Sequence, residues 1–171
     1  MCIKKLFFGL SMAGFVLTAC GQNPLGFEVM VNGLLEEKVD TVGSLTLYDL
    51  IEKTSPILLD ARESQEYEVS HIANSINVGF ENFDESLISS LNKSDTIIVY
   101  CSIGKRSEEI GKKLNAKGFK HVYNLYGGIF DWTNRSFPVV NHKGDSVEEV
   151  HPYNALWGIW VNNYKKVYGS E

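Results

Sequence analysis

The sequence predicts an α/β domain with a mainly parallel central sheet flanked by helices. Three observations carry this expectation. Short apolar runs alternate with stretches of helical period along the middle of the chain. One run, Thr96-Ile97-Ile98-Val99-Tyr100, is apolar enough for a strand covered on both faces. Glycines punctuate the pattern, with Gly118 as a helix stop and Gly127-Gly128 as a turn.

Taken in order, Phe27 to Leu35 reads as a short amphipathic helix, with Phe27, Met30, Val31, Leu34 and Leu35 as its apolar positions. Leu45 to Lys53 is a second, with Leu47, Leu50 and Ile51. Pro56-Ile57-Leu58-Leu59-Asp60 is a short strand ending on an acid, and Ile76-Asn77-Val78 is another. Phe83 to Leu91 is helical in period. Behind the Thr96 strand, Ser107 to Lys117 makes a helix with Ile110 and Leu114 on its buried stripe. Glu108 and Glu109 read as solvated acids favoured by its N-terminal dipole. His121-Val122-Tyr123-Asn124-Leu125 is the next strand, followed by a helix through Trp132, a core residue. Beyond Val140, Leu156, Trp157, Ile159, Trp160, Tyr164 and Val167 alternate with Asn, Lys and Gly over Asn154 to Tyr168. That tail reads as an amphipathic helix, docked on the domain or facing a membrane edge or a partner.

The first twenty residues stand apart from the fold. Lys4-Lys5 precede an apolar stretch from Leu6 to Thr18, too short for a transmembrane helix, and Leu17-Thr18-Ala19-Cys20 follows. Leu-Thr-Ala-Cys resembles the lipobox of bacterial lipoproteins; an ordinary cleaved signal peptide or an uncleaved anchor are the alternatives. The resemblance implies cleavage before Cys20, acylation of its sulfur, and a cell-envelope protein tethered to a membrane outside the cytoplasm. The expected organisation is a signal peptide at 1–19, a tether and helix at 20–44, a domain at 45–140 and an extension at 141–171.

The 171 residues are 44% hydrophobic and 22% charged, which suits a globular domain, and the net charge of −5 argues against a nucleic-acid partner. The cysteines are Cys2, Cys20 and Cys101. Cys2 would leave with the leader and Cys20 would be acylated, so the mature chain would keep one free thiol. In an oxidising compartment such a thiol is used or buried as a small hydrophobe. Its position favours use: Cys101 ends the apolar strand and precedes Ser102, Ile103, Gly104, Lys105 and Arg106. A helix N-terminus and two cations beside it point to a reactive thiolate, and Gly104 lets successive N–H groups converge on a sulfur or a bound oxyanion.

Four separated motifs then match one family in order. They are Leu58-Leu59-Asp60-Ala61-Arg62-Glu63 with Glu66-Tyr67, His71 to Val78, Tyr100 to Ser107, and Leu125-Tyr126-Gly127-Gly128-Ile129-Phe130-Asp131-Trp132 through Pro138-Val139. The chain thus resembles a single-domain rhodanese, a thiosulfate sulfurtransferase, from about Leu45 to Val140. Ser70, Ala73, Asn74 and Ser75 depart from the family's small-and-proline turn around the histidine. The resemblance implies that Cys101 takes sulfane sulfur from a small anionic donor such as thiosulfate and passes it to a thiol, cyanide or protein acceptor. Lys105 and Arg106 would draw in the donor, and the N–H groups from Ser102 to Arg106 would hold the transferred charge. No metal or organic cofactor is implied. Asp60 and Arg62 would brace the loop from below, and His71 would tie down its turn. Phosphatase relatives place five residues between Cys and Arg; the four here make a smaller cradle, suited to sulfur. The competing reading is a module of the same fold that binds sulfur or an oxyanion without turnover.

Overall fold

Five parallel strands form the central sheet in a computed structural model that describes residues 24–168. The leader, Cys2 and the lipobox cysteine Cys20 lie outside the described residues. In chain order the elements are α1 (Pro24–Leu34), β1 (Thr41–Val42), α2 (Ser44–Thr54), β2 (Ile57–Asp60), α3 (Ser64–Val69) and β3 (Ile76–Asn77). A 3₁₀ turn at Glu85–Ile88 precedes β4 (Thr96–Tyr100), α4 (Lys105–Ala116), β5 (His121–Leu125) and α5 (Gly128–Asn134). The chain continues through β6 (Val139–Val140), β7 (Ser146–Val147), β8 (Glu149–Val150), α6 (Ala155–Gly158) and β9 (Lys165–Lys166). The sheet runs β1-β5-β4-β2-β3, which puts the most apolar strand in its middle. No helix among the described residues is long and apolar enough to cross a membrane.

The two-residue period of a strand divides the core between the sheet's two faces. From β4, Ile98 and Tyr100 join Leu47, Ile129, Phe130 and Trp132 on one side. Ile97, Val99 and Cys101 join Ile110, Leu114 and Phe119 on the other. All three isoleucine and valine side chains of β4 are fully buried, each stabilising the fold by about 1.5–3 kcal/mol relative to exposure. The cysteine is therefore the next inward-facing step of the α4 side. It sits where β4 ends and the sheet opens at its carboxyl edge, the place where α/β sheets bind ligands.

β4 and β5 have the expected bounds, while α4 begins at Lys105, ahead of the expected Ser107, because Gly104 turns the chain directly into it. Three expectations need correction. Phe83 to Leu91 yields only the 3₁₀ turn, because Asp84 Oδ1 accepts from Ser86 N–H at 2.9 Å and Leu91 N–H returns to Ile88 O. Glu108 is no solvated acid: it is 1% exposed and accepts from Glu36 N–H at 2.9 Å and Lys38 N–H at 3.0 Å. The tail is no long helix. Asn154 caps the one-turn α6, Gly158 closes it, and the chain runs on to β9, which pairs in parallel with β8. Tertiary bonds outcompete the helical period there: Asn162 N–H donates to Asn134 Oδ1 and Tyr164 Oη to Phe137 O, while Val161 is buried.

Candidate active site

Cys101 is 1% exposed, and its Sγ accepts a hydrogen bond from the Gly104 N–H at 3.2 Å. The loop that makes this contact depends on two glycines. Gly104 has a φ of 111°, a left-handed conformation that a side chain resists. Having no side chain, it also cannot cap the first-turn amides of α4, which begin beside the sulfur. Gly128 supports the loop from behind, with Ile129 N–H donating to Cys101 O and Phe130 N–H to Ser102 O. A Cβ on Gly128 would stand 2.3 Å from Cys101 O, so the second glycine of the pair is a steric requirement of the loop.

Side chains then pin the loop in three places. Asn124, buried in β5, donates through Nδ2 to Gly104 O at 2.9 Å and accepts from Ser107 Oγ at 2.7 Å. Arg106 makes a forked pair with Glu66, Nη1 to Oε2 at 2.7 Å and Nη2 to Oε1 at 2.8 Å. Ser102 Oγ lies between them, donating to Glu66 Oε1 and accepting from Arg106 Nη2. Burial pushes the Glu66 carboxyl up, but Arg106 and Arg62 outweigh it and hold the group below the usual carboxylate range. Burial likewise opposes the Arg106 charge, and Glu66 together with the Cys101 sulfur more than restores it.

The cations expected to meet a donor are therefore already engaged. Lys105 Nζ lies 2.9 Å from Glu36 Oε1 and 3.7 Å from Glu109 Oε1. Arg106 is a clamp whose guanidinium carbon also lies over the Tyr153 ring, 5.0 Å from its centroid. Asp60 and Arg62 form a fully buried pair at 2.6 Å, with Arg62 Nη2 also donating to Ser70 O at 2.7 Å. The brace flanks Tyr100, whose Oη accepts from Ile72 N–H and bonds Ser75 Oγ. His71 stacks on Tyr67 and its Nδ1 lies 3.0 Å from Tyr67 O, a structural tie; burial lowers its pKa.

Cys101 opens into a mostly apolar pocket of about 190 Å³. Ser102, Ile103, Lys105 and Arg106 line it alongside the cysteine. Tyr153 and Trp157 from the extension complete the wall. These two were invisible to a reading that placed the tail on one long helix. Asn124 was also missed; an amide between the apolar Val122 and Leu125 of β5 was its only signal.

A model of the rhodanese-like domain family matches residues 45–135. The chain is 31% identical over 91 residues to the thiosulfate sulfurtransferase GlpE of Coxiella burnetii, covering 53% of this chain and 84% of that protein. It is 33% identical over 101 residues to the putative sulfur carrier protein YrkF of Bacillus subtilis, covering 59% of this chain and 48% of that one. Among solved structures, a rhodanese-related protein from Thermoplasma volcanium superposes with a TM-score of 0.53 at 30% identity, covering 59% of this chain and 97% of the other.

Proposed function

This chain belongs to the rhodanese family of sulfurtransferase-fold proteins, and on that premise we propose that it is a membrane-anchored sulfurtransferase working through a Cys101 persulfide. The observation that carries the reading is the Gly104 N–H directed at Cys101 Sγ on the floor of an open pocket.

In the first half-reaction the Cys101 thiolate attacks the outer sulfur of thiosulfate. A sulfur–sulfur bond to Sγ forms, the bond to the sulfonate sulfur breaks, and sulfite leaves with its electron pair. The terminal sulfur of the persulfide then carries the negative charge, beside the loop and first-turn amides. In the second half-reaction a thiophilic acceptor attacks that terminal sulfur and Cys101 departs as thiolate. Cyanide would become thiocyanate; a thiol would become a persulfide. No net oxidant or reductant is consumed. Because the loop cations are held in ion pairs, their part is to shape the loop as much as to attract the donor.

Incubation with thiosulfate followed by mass spectrometry should show one added sulfur on Cys101, discharged by cyanide as thiocyanate. Cys101→Ser should show none. Absence of the adduct in the wild type overturns the reading, and an adduct that no acceptor discharges supports a binding module instead. The anchor is tested separately: fatty-acid labelling in a bacterial host should mark the wild type and not Cys20→Ala, and labelling of both rejects lipidation at Cys20.

A further inference from the structure

We propose that Tyr153 and Trp157 form a specificity wall that selects organic sulfur compounds carrying a flat aromatic group over small hydrophilic donors. The inference rests on the sulfurtransferase reading and concerns residues beyond the matched 45–135 segment.

Four observations converge on it. The pocket above Cys101 is mostly apolar, and two of its walls are aromatic rings. Its volume of about 190 Å³ exceeds what a thiosulfate ion fills and leaves space for a ring. Its two cations are spent on Glu36, Glu109 and Glu66, so little unpaired positive charge remains for a dianion. Finally, Tyr153 is held at a φ of 67°, a conformation a bulky residue adopts only when its surroundings enforce it. Neighbouring groups do so: Pro152 is buried, Tyr153 N–H donates to His151 Nδ1 at 3.1 Å, and the ring lies over Arg106. Tyr153 as a residue nevertheless stays 51% exposed while lining the pocket, so it is not absorbed into the core.

An aryl thiosulfonate would place its terminal sulfur at Cys101 Sγ and its ring against Tyr153 and Trp157. The thiolate attacks the terminal sulfur, the bond to the sulfonyl sulfur breaks, and the aryl sulfinate leaves with the electron pair. That step is balanced as written.

Benzenethiosulfonate and methanethiosulfonate share this chemistry and differ in the group that would meet the wall. Wild-type kcat/KM for persulfide formation should favour the benzene compound by about tenfold, the scale of a well-placed aromatic contact. Tyr153→Ala and Trp157→Ala should each reduce that ratio severalfold, and Tyr153→Phe should keep it. A wild-type ratio near one, or alanine variants that slow both donors by the same factor, overturns the proposal. Calorimetry with Cys101→Ser gives a readout independent of turnover, in which benzenesulfinate should bind about tenfold more tightly than methanesulfinate. Equal affinities reject the wall. A preserved binding preference without sulfur loading from either donor or from thiosulfate rejects the sulfurtransferase reading and leaves the wall standing.

Discussion

Glu66 serves three partners at once. Its carboxylate accepts from Glu63 N–H at the start of α3, from Ser102 Oγ in the cysteine loop, and from both terminal nitrogens of Arg106. Removing its charge leaves the part-buried Arg106 with half a partner, so Glu66→Gln should lower the unfolding free energy by about 3 kcal/mol, read from urea melts. The same variant should slow sulfur loading, because Ser102 and Arg106 lose the group that orders them. Gly128→Ala tests a different cause. Its methyl would overlap Cys101 O, so the loop or α5 must shift, at a cost of about 1–3 kcal/mol. Persulfide formation should fall further than stability does. At this scale Cys101, Gly104 and the buried Asp60–Arg62 pair were legible, since strand end, turn glycine and charged residues near a strand's terminus are local patterns. Asn124 and Glu108 were not. Each acquires its role from a segment far off in sequence, and nothing beside it says which backbone groups it will meet.

Elements show the same division. β4 and β5 declare themselves through apolar runs, whereas β1 is two residues long and exists because Asn124 N–H and Tyr126 N–H donate to Asp40 O and Val42 O. The tail's spacing of aromatic residues mimics a helix, yet its rings fit an irregular path: Trp160 against Phe27, Tyr164 against Phe137, Trp157 at the pocket. Two histidines sit at these joins. His71 pairs by backbone with Val140, and His151, just after β8, accepts from Tyr153 N–H at its Nδ1. Burial lowers both ring pKa values below the ordinary 6.5. The unfolded chain therefore takes up protons first, and stability should fall as pH drops below 6.5 toward the folded-state values. Glu66 adds to the loss further down, since its lowered pKa stabilises the fold above 4.5 and ceases to do so in stronger acid. Thermal melts should hold level from pH 8 to about 6.5 and then decline toward pH 5, with a shallower decline in His71→Gln; a flat profile over the whole range contradicts the assignment.

For the molecule as a whole, the extension is part of the core and not an appendage. Val150 and Val161 are buried with residues of the rhodanese segment, and Trp160 O accepts from Asn134 Nδ2 at 2.8 Å. Deleting 141–171 should cost at least about 3 kcal/mol from those two valines alone. Guanidinium unfolding would show this as a lower midpoint. The sheet order carries a further consequence, for the path by which the chain reaches this state. β1 has no neighbour in the sheet except β5, with Thr41 beside Asn124 and Val42 beside Leu125. An N-terminal fragment that stops before His121 lacks the strand that pairs with its first. The largest loop of the sheet must close before its edge is secured, and the Phe27 ring of α1 waits longer still for its contact with Trp160. Such long-range contacts slow folding, so the last step should join α1 to the extension after the central strands have already paired.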